Sequence, residues 1–162
     1  LELGTGSGVI SISIAQESRD CIIFATDISI KSILVAKQNA EKFCCENIIF
    51  LNHDWNNEWL FPQVDYLISN PPYVDKEKTS GKEEGIWYEP EKALFSNDKG
   101  LSDLQLILSK GKNYLNENGK VYLEHAPDQY EELNKLALEN GYLNFSNLND
   151  LNGDKRVSIY QC

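Results

Sequence analysis

Methionine is absent from all 162 residues, position 1 included. The chain also opens inside a motif. We therefore expect a fragment of a longer protein whose first strand has lost its start. Cysteine is scarce and poorly spaced for chemistry. Cys21, Cys44, Cys45 and Cys162 form no C-x-x-C pair, and the two histidines, His53 and His125, lie far apart. That pattern excludes the usual zinc spacings and a disulfide framework. No metal is expected, and the thiols are expected to be reduced, as in a cytoplasmic protein. Basic side chains are few: 15 Lys and Arg against 25 Asp and Glu leave a net charge of −10. This balance argues against a protein that grips nucleic acid by bulk charge, though not against a local basic groove. No apolar run approaches the roughly 18 residues of a membrane span. What remains is ordinary for a globular domain, with 41 % hydrophobic and 25 % charged residues. One domain with its own core fits this length.

Strand and helix patterns alternate. Leu1-Glu2-Leu3 reads as the end of a strand, and Gly4-Thr5-Gly6-Ser7-Gly8 as a glycine turn. From Val9 to about Ser18 the pattern is ambiguous. Ile10, Ile12 and Ile14 alternate as in a strand, but a glycine turn leading into a helix is the expected context. Cys21 to Thr26 is a short apolar run of the kind buried on both faces of a sheet. Ser29 suits a helix N-cap, with Ile30, Ile33 and Leu34 carrying the helix to about Phe43. Ile48 to Leu51 and Val64 to Ser69 predict two more strands. Val74 to Lys99 is polar and without period, and a loop of that length in a compact domain is usually functional. Leu101, Leu104, Ile107 and Leu108 predict a helix. Asn118-Gly119 reads as a turn, Val121 to Glu124 as a strand, and Asp128 to about Glu139 as a helix ended by Asn140-Gly141. A final hairpin is expected from Tyr142 to Leu148 and Arg156 to Tyr160. The sum is a doubly wound α/β sheet of Rossmann-like type, mostly parallel, with a C-terminal antiparallel hairpin. Ligands of such sheets bind beyond the carboxyl ends of the strands at the switch point.

Four groups fall just after strands and are expected to converge there. The first is the glycine loop at residues 4–8. Its spacing is G-x-G-x-G. Val9 stands where a dinucleotide fingerprint needs glycine, and no Lys-Ser/Thr ending follows. A nucleoside without a required pyrophosphate suits it, as does an ordinary strand-to-helix turn. The second is Asp27, whose carboxylate can accept from both hydroxyls of a ribose or can simply cap a turn. The third is Asp54-Trp55. An indole can cover a purine and a carboxylate can accept from its amine, although Trp55 or Trp59 could equally be a core anchor. The fourth is Asn70-Pro71-Pro72-Tyr73. Two prolines remove backbone donors and fix φ, so the segment presents carbonyls. With the Asn70 side-chain oxygen these can accept both hydrogens of a planar NH2 group, and Tyr73 can stack on its plane. The histidines carry no catalytic spacing.

In this order, Leu-Glu-Leu-Gly-Thr-Gly-Ser-Gly, Asp27, Asp54-Trp55 and Asn-Pro-Pro-Tyr resemble the class I S-adenosylmethionine-dependent methyltransferases. More narrowly, the chain resembles the release factor glutamine N5-methyltransferases, the HemK/PrmC family. Glu89-Pro90 with Ala93-Leu94 and Gly100-Leu101, then Glu124-His125 and Arg156-Val157, extend the resemblance over nearly the whole chain. The resemblance implies that residues 1–162 are a catalytic domain lacking the family's N-terminal helical substrate-recognition domain. It implies S-adenosylmethionine as cofactor, with S-adenosylhomocysteine as product. Glu2, Gly4, Thr5, Gly6, Ser7, Gly8, Asp27, Ile28, Asp54, Trp55 and Asn70 would hold that cofactor. Asn70, Pro71, Pro72 and Tyr73 would bind and activate a glutamine amide in the GGQ motif of a peptide chain release factor. A cytoplasmic monomer without direct nucleic-acid contact is the expected setting. Two positions depart from the family pattern: Glu2 stands where Asp is usual, and Ala126-Pro127 where a glycine is common. The rival readings are an adenine-N6 enzyme acting on DNA or RNA, a ribosomal-protein glutamine methyltransferase, and a non-catalytic nucleotide-binding domain.

Overall fold

A computed structural model describes residues 1–75, 95–96 and 100–162. Glu89-Pro90 and Ala93-Leu94 lie outside the described residues. The strands form a seven-stranded mixed sheet and a separate two-stranded one. The chain divides into two compact units, residues 1–61 with 67–69 and residues 62–66 with 70–162.

The first unit contains β1 (Glu2–Leu3), α1 (Val9–Glu17), β2 (Ile23–Asp27), α2 (Ile30–Lys42), β3 (Ile48–Asn52) and the end of β4 (Val64–Ser69). All its strand pairings are parallel, with β1 between β2 and β4. The chain runs outward from β1 through β2 to β3 and then returns to the other side of β1. That reversal is the switch point expected from the alternation of elements. Leu3 pairs with both Thr26 and Ser69, Thr26 pairs with Leu51, and Asp27 pairs with Asn52. The four strands therefore end at one level of the sheet.

The glycine turn decides the ambiguous segment. The Ile12 N–H donates to the Gly8 carbonyl at 2.9 Å, and α1 buries Ser11, Ile12 and Ala15, a helical spacing. Helix α2 starts where Ser29 accepts from the Ser32 N–H at 3.2 Å, and it buries Ile33, Ala36 and Ala40. It ends before Cys44, whose φ of 53° terminates the turn. The core of this unit is Leu3, Ile12, Ala25, Ile33, Ala36, Trp59 and Leu67.

The second unit contains the start of β4, β5 (Val74–Asp75), β6 (Phe95–Ser96), α3 (Ser102–Gly111), β7 (Leu115–Glu124), α4 (Tyr130–Glu139), β8 (Asn144–Asn149) and β9 (Lys155–Gln161). Strand β9 pairs antiparallel with both β7 and β8, so the C-terminal hairpin is present. Its core is Leu104, Ile107, Leu108, Val121, Leu123, Leu133, Tyr142 and Tyr160. Both buried phenols are satisfied: Tyr142 donates to the Leu108 carbonyl at 3.0 Å and Tyr160 to Asn134 Oδ1 at 3.1 Å.

One sequence expectation is borne out inside a strand and two are corrected. Asn118-Gly119 turns the chain as expected, inside the range of β7: a Cβ on Gly119 would lie 2.9 Å from the Asn116 carbonyl oxygen. Asn118 takes φ 64° within the strand, a conformation that asparagine tolerates. The segment from Val74 to Lys99 is not structureless at its ends, since Val74 pairs with Phe95 and Asp75 with Ser96 in a short parallel ladder. The helix expected from Asp128 begins instead as a 3-10 turn, Pro127–Gln129, before α4. Among the described residues, no helix is long and apolar enough to cross a membrane.

Candidate active site

The glycine loop leaves β1 at the switch point and is held from several sides. The Thr5 N–H donates to the Thr26 carbonyl and the Gly8 N–H to the Thr5 carbonyl, both at 2.8 Å. Asn39 Nδ2 donates to the Ser7 carbonyl at 2.9 Å. Two of the glycines matter for different reasons. Gly8 has φ 86°, and a Cβ there would sit 3.1 Å from both Ala36 Cβ and Ile12 Cδ1, so it allows α1 and α2 to approach closely. Gly6 has φ 56° and nothing within 4 Å of a Cβ position. The space over Gly6 is open, as a ligand-cradling backbone requires.

Glu2 is buried beneath this loop at 3 % exposure. Its Oε2 accepts from the Thr5 hydroxyl at 2.7 Å and from the Ser11 hydroxyl. It thereby ties the loop to the first turn of α1. Burial raises its carboxyl pKa above the usual value of 4.5, against the lowering effect of the two hydroxyls. The sign follows from linkage. The folded protein holds this proton more tightly than the unfolded chain, so Glu2's contribution to stability is full below the unfolded pKa. It is lost as pH rises through the raised folded value. Relative to Glu2→Gln, the wild type should lose stability as pH climbs through and above the ordinary carboxylate range. Denaturant midpoints of the two proteins against pH would test this, and parallel curves would refute it.

Asp27 ends β2 at the same level. Its Oδ2 accepts from the Gly6 N–H at 2.9 Å and its Oδ1 from the Ser29 N–H at 2.8 Å. A carboxylate offers about four acceptor sites, so each oxygen retains one for a further donor. Asn52 Nδ2 braces the following turn by donating to the carbonyls of Asp27, at 2.9 Å, and Ile28, at 2.8 Å. The Ile28 side chain is exposed. Beyond β3, Asp54 Oδ1 accepts from the backbone and side-chain N–H groups of Asn56 at 2.9 and 2.8 Å, closing a turn. The choice between the two indoles is settled here. Trp59 is the core anchor, 3 % exposed, with its Nε1 donating to the Trp55 carbonyl at 2.8 Å. Trp55 is half-buried on the turn that Trp59 anchors.

Asn70 follows Ser69, the last residue of β4. In the second unit Asn70 is exposed, Pro71 and Pro72 are buried and Tyr73 is half-buried. The prolines are the embedded part of the motif, and the polar Asn70 is the presented part. The Tyr73 hydroxyl donates to Glu124 Oε1 at 3.0 Å, at the end of β7. Burial first, then the Glu124 charge, pushes this phenol up to about 12, with Arg156 opposing. Tyr73 is therefore a neutral donor at physiological pH.

His125 is buried and fully engaged: Nδ1 meets the Ala126 carbonyl at 2.8 Å and Nε2 the Ser158 hydroxyl at 2.9 Å. The carbonyl can only accept, so Nδ1 carries the proton and Ser158 donates to Nε2. Burial lowers the pKa of His125, which keeps it neutral and structural. The sequence reading missed Thr5 and Ser11 as partners of Glu2, Asn52 behind Asp27, and Gln129 behind Tyr73. Thr5 lies three residues from Glu2, but Ser11, Asn52 and Gln129 each come from a different segment and carry no local signal.

A glycine turn at the switch point of a parallel sheet, with an acidic side chain ending the next strand, is the arrangement of an α/β domain of Rossmann-like type. Residues 1–89 match the family model described as methyltransferase small domain, and the chain belongs to that family. It is 38 % identical over 162 residues to a bifunctional methyltransferase of Rickettsia conorii, covering 99 % of this chain and 31 % of the relative. It is 34 % identical over 161 residues to a release factor glutamine methyltransferase of Francisella tularensis, covering 99 % of this chain and 57 % of the relative. Among solved structures it resembles the magnesium protoporphyrin IX methyltransferase of Synechocystis PCC 6803 with bound SAM. The TM-score is 0.65 at 16 % identity, over 99 % of this chain and 67 % of that one, a likeness of fold. The chain thus spans between about a third and a little over half of these curated relatives.

Proposed function

We propose that the chain is the catalytic domain of an S-adenosylmethionine-dependent methyltransferase acting on a glutamine side-chain amide of a peptide chain release factor. The observation that carries this reading is the Asn-Pro-Pro-Tyr segment directly after β4, with its prolines buried and Asn70 exposed. The names of relatives 31–34 % identical over nearly the whole chain favour the same substrate.

The residues present fit the cofactor. The open backbone at Gly6 suits its amino-acid end, and the remaining acceptor sites of Asp27 suit a ribose diol. Trp55, with Asp54, would lie by the adenine, while Glu2 keeps the loop in place from beneath. When bound, S-adenosylmethionine supplies an electrophilic methyl group on a sulfonium.

A glutamine amide nitrogen is a poor nucleophile because its lone pair is delocalised into the carbonyl. The Asn70 side-chain oxygen and the Pro71 carbonyl would accept its two hydrogens and favour a pyramidal nitrogen. That is catalysis by positioning and preorganised dipoles. The proton leaves after transfer, when the nitrogen is cationic and acidic, so no strong base is needed.

The test uses the full-length protein with radiolabelled S-adenosylmethionine. Release factor, ribosomal protein, DNA and RNA are offered in parallel. Label mapped to a release-factor glutamine supports the proposal. Label on a ribosomal-protein glutamine or on an adenine would keep the cofactor and overturn the substrate.

A further inference from the structure

We infer that Gln129 is a positioning residue for the Asn70-Pro71-Pro72-Tyr73 segment, acting through the backbone carbonyl of Tyr73; this rests on the function proposed above. Gln129 Nε2 donates to the Tyr73 carbonyl at 2.9 Å. Its Oε1 accepts from the Ala126 N–H at 2.9 Å, and its own N–H donates to the Ala126 carbonyl at 3.0 Å. Two facts fix which way the amide points. The Ala126 N–H can only donate and the Tyr73 carbonyl can only accept, so no other orientation satisfies both. Gln129 is 7 % exposed, so an unmade bond there would leave buried polar groups without partners.

Gly100 completes the arrangement. Its φ is 83°, and a Cβ there would lie 2.0 Å from the Tyr73 oxygen and 2.6 Å from Gln129 Nε2. Any side chain at position 100 would occupy the place of this hydrogen bond. Tyr73 is therefore gripped at both ends, its hydroxyl by Glu124 and its carbonyl by Gln129.

The consequence reaches Asn70 because the intervening chain is stiff. Pro71 and Pro72 have φ fixed near −65° and are buried. Where the Tyr73 carbonyl is held, the Pro71 carbonyl and Asn70 have little freedom to swing. The 3-10 turn Pro127–Gln129 that carries Gln129 starts at Ala126, whose N–H and carbonyl both bond Gln129 and so fix its side chain.

The test compares Gln129→Glu and Gln129→Leu in the full-length protein. The first keeps size and the acceptor for Ala126 but sets an oxygen against the Tyr73 carbonyl. The second removes both bonds and keeps the volume. Both should lower kcat about ten- to hundredfold, because small misplacements of a reacting group cost that much. KM for S-adenosylmethionine should stay within about twofold, since all the groups that would hold the cofactor except Asn70 are untouched. Amide exchange at Tyr73 and Val74 should speed up about tenfold in both variants as the segment loosens. Unchanged kcat, or a loss that follows KM for S-adenosylmethionine, would overturn the inference. If the wild type transfers no methyl to any glutamine, the proposed function fails, and the exchange rates alone decide: faster exchange upholds the positioning role, equal rates refute it.

Discussion

Asn70→Ala should lower kcat for methyl transfer by roughly 10²–10³-fold, the usual loss when one preorganised polar group at a reacting centre is removed. S-adenosylmethionine affinity should fall only modestly. The reason lies in how the segment is built. The prolines are buried and Tyr73 is fastened by Glu124 and Gln129, so truncating the exposed Asn70 leaves the rest of the motif in place. What goes is one of the two acceptors that would turn the amide nitrogen toward the methyl group. Single-turnover rates with release factor, alongside calorimetric titration of the cofactor, separate the two effects. Near-full turnover in the variant would sink the mechanism. Asn70→Asp is a useful companion, since it keeps the acceptor while adding charge, and it should retain more activity than the alanine variant.

The second large effect falls on binding. Asp27→Ala should weaken S-adenosylmethionine by about 10²-fold or more, because hydrogen bonds to a charged group contribute roughly 1.5–3 kcal/mol each and a ribose diol would make two. The same substitution strips an acceptor from the Gly6 and Ser29 N–H groups, so the loop itself loosens. Asp27→Asn separates these causes. It keeps an acceptor oxygen yet loses the charge, and its affinity should fall between the other two. Turnover at saturating cofactor should change much less than affinity. Calorimetry showing equal affinity for wild type and Asp27→Ala would remove Asp27 from the cofactor site.

Much of this molecule could be read along the chain, for local reasons. Val64 to Ser69 is a strand at the residues its apolar pattern gives, and Ser29 caps the helix its hydroxyl suits. The glycine spacing settled the Val9 segment as a helix against the alternation of its isoleucines, because a turn with positive φ launches α1 directly. Asn118-Gly119 is another local case. The dipeptide favours a turn, asparagine accepts the left-handed φ of 64°, and the ladder of β7 with β9 begins only beyond it, at Lys120. For the tryptophans the sequence left two equal candidates. Burial chose Trp59 as the anchor, and its indole N–H holds the turn that carries Trp55.

The sequence by itself determined the alternation of strands and helices, the glycine turn, and the order of the chemistry-bearing groups. Each of these depends on residues adjacent or one helical turn apart. Only the tertiary structure decided what stands behind those groups. Glu2 meets Ser11 across the loop, and Asn52 braces the turn after Asp27 from the neighbouring strand. Gln129 reaches Tyr73 from 56 residues away through a gap that Gly100 leaves open. Such partners share no periodicity with the residues they hold. Strand register and helix placement bring them together, and burial then requires each polar atom among them to find its mate.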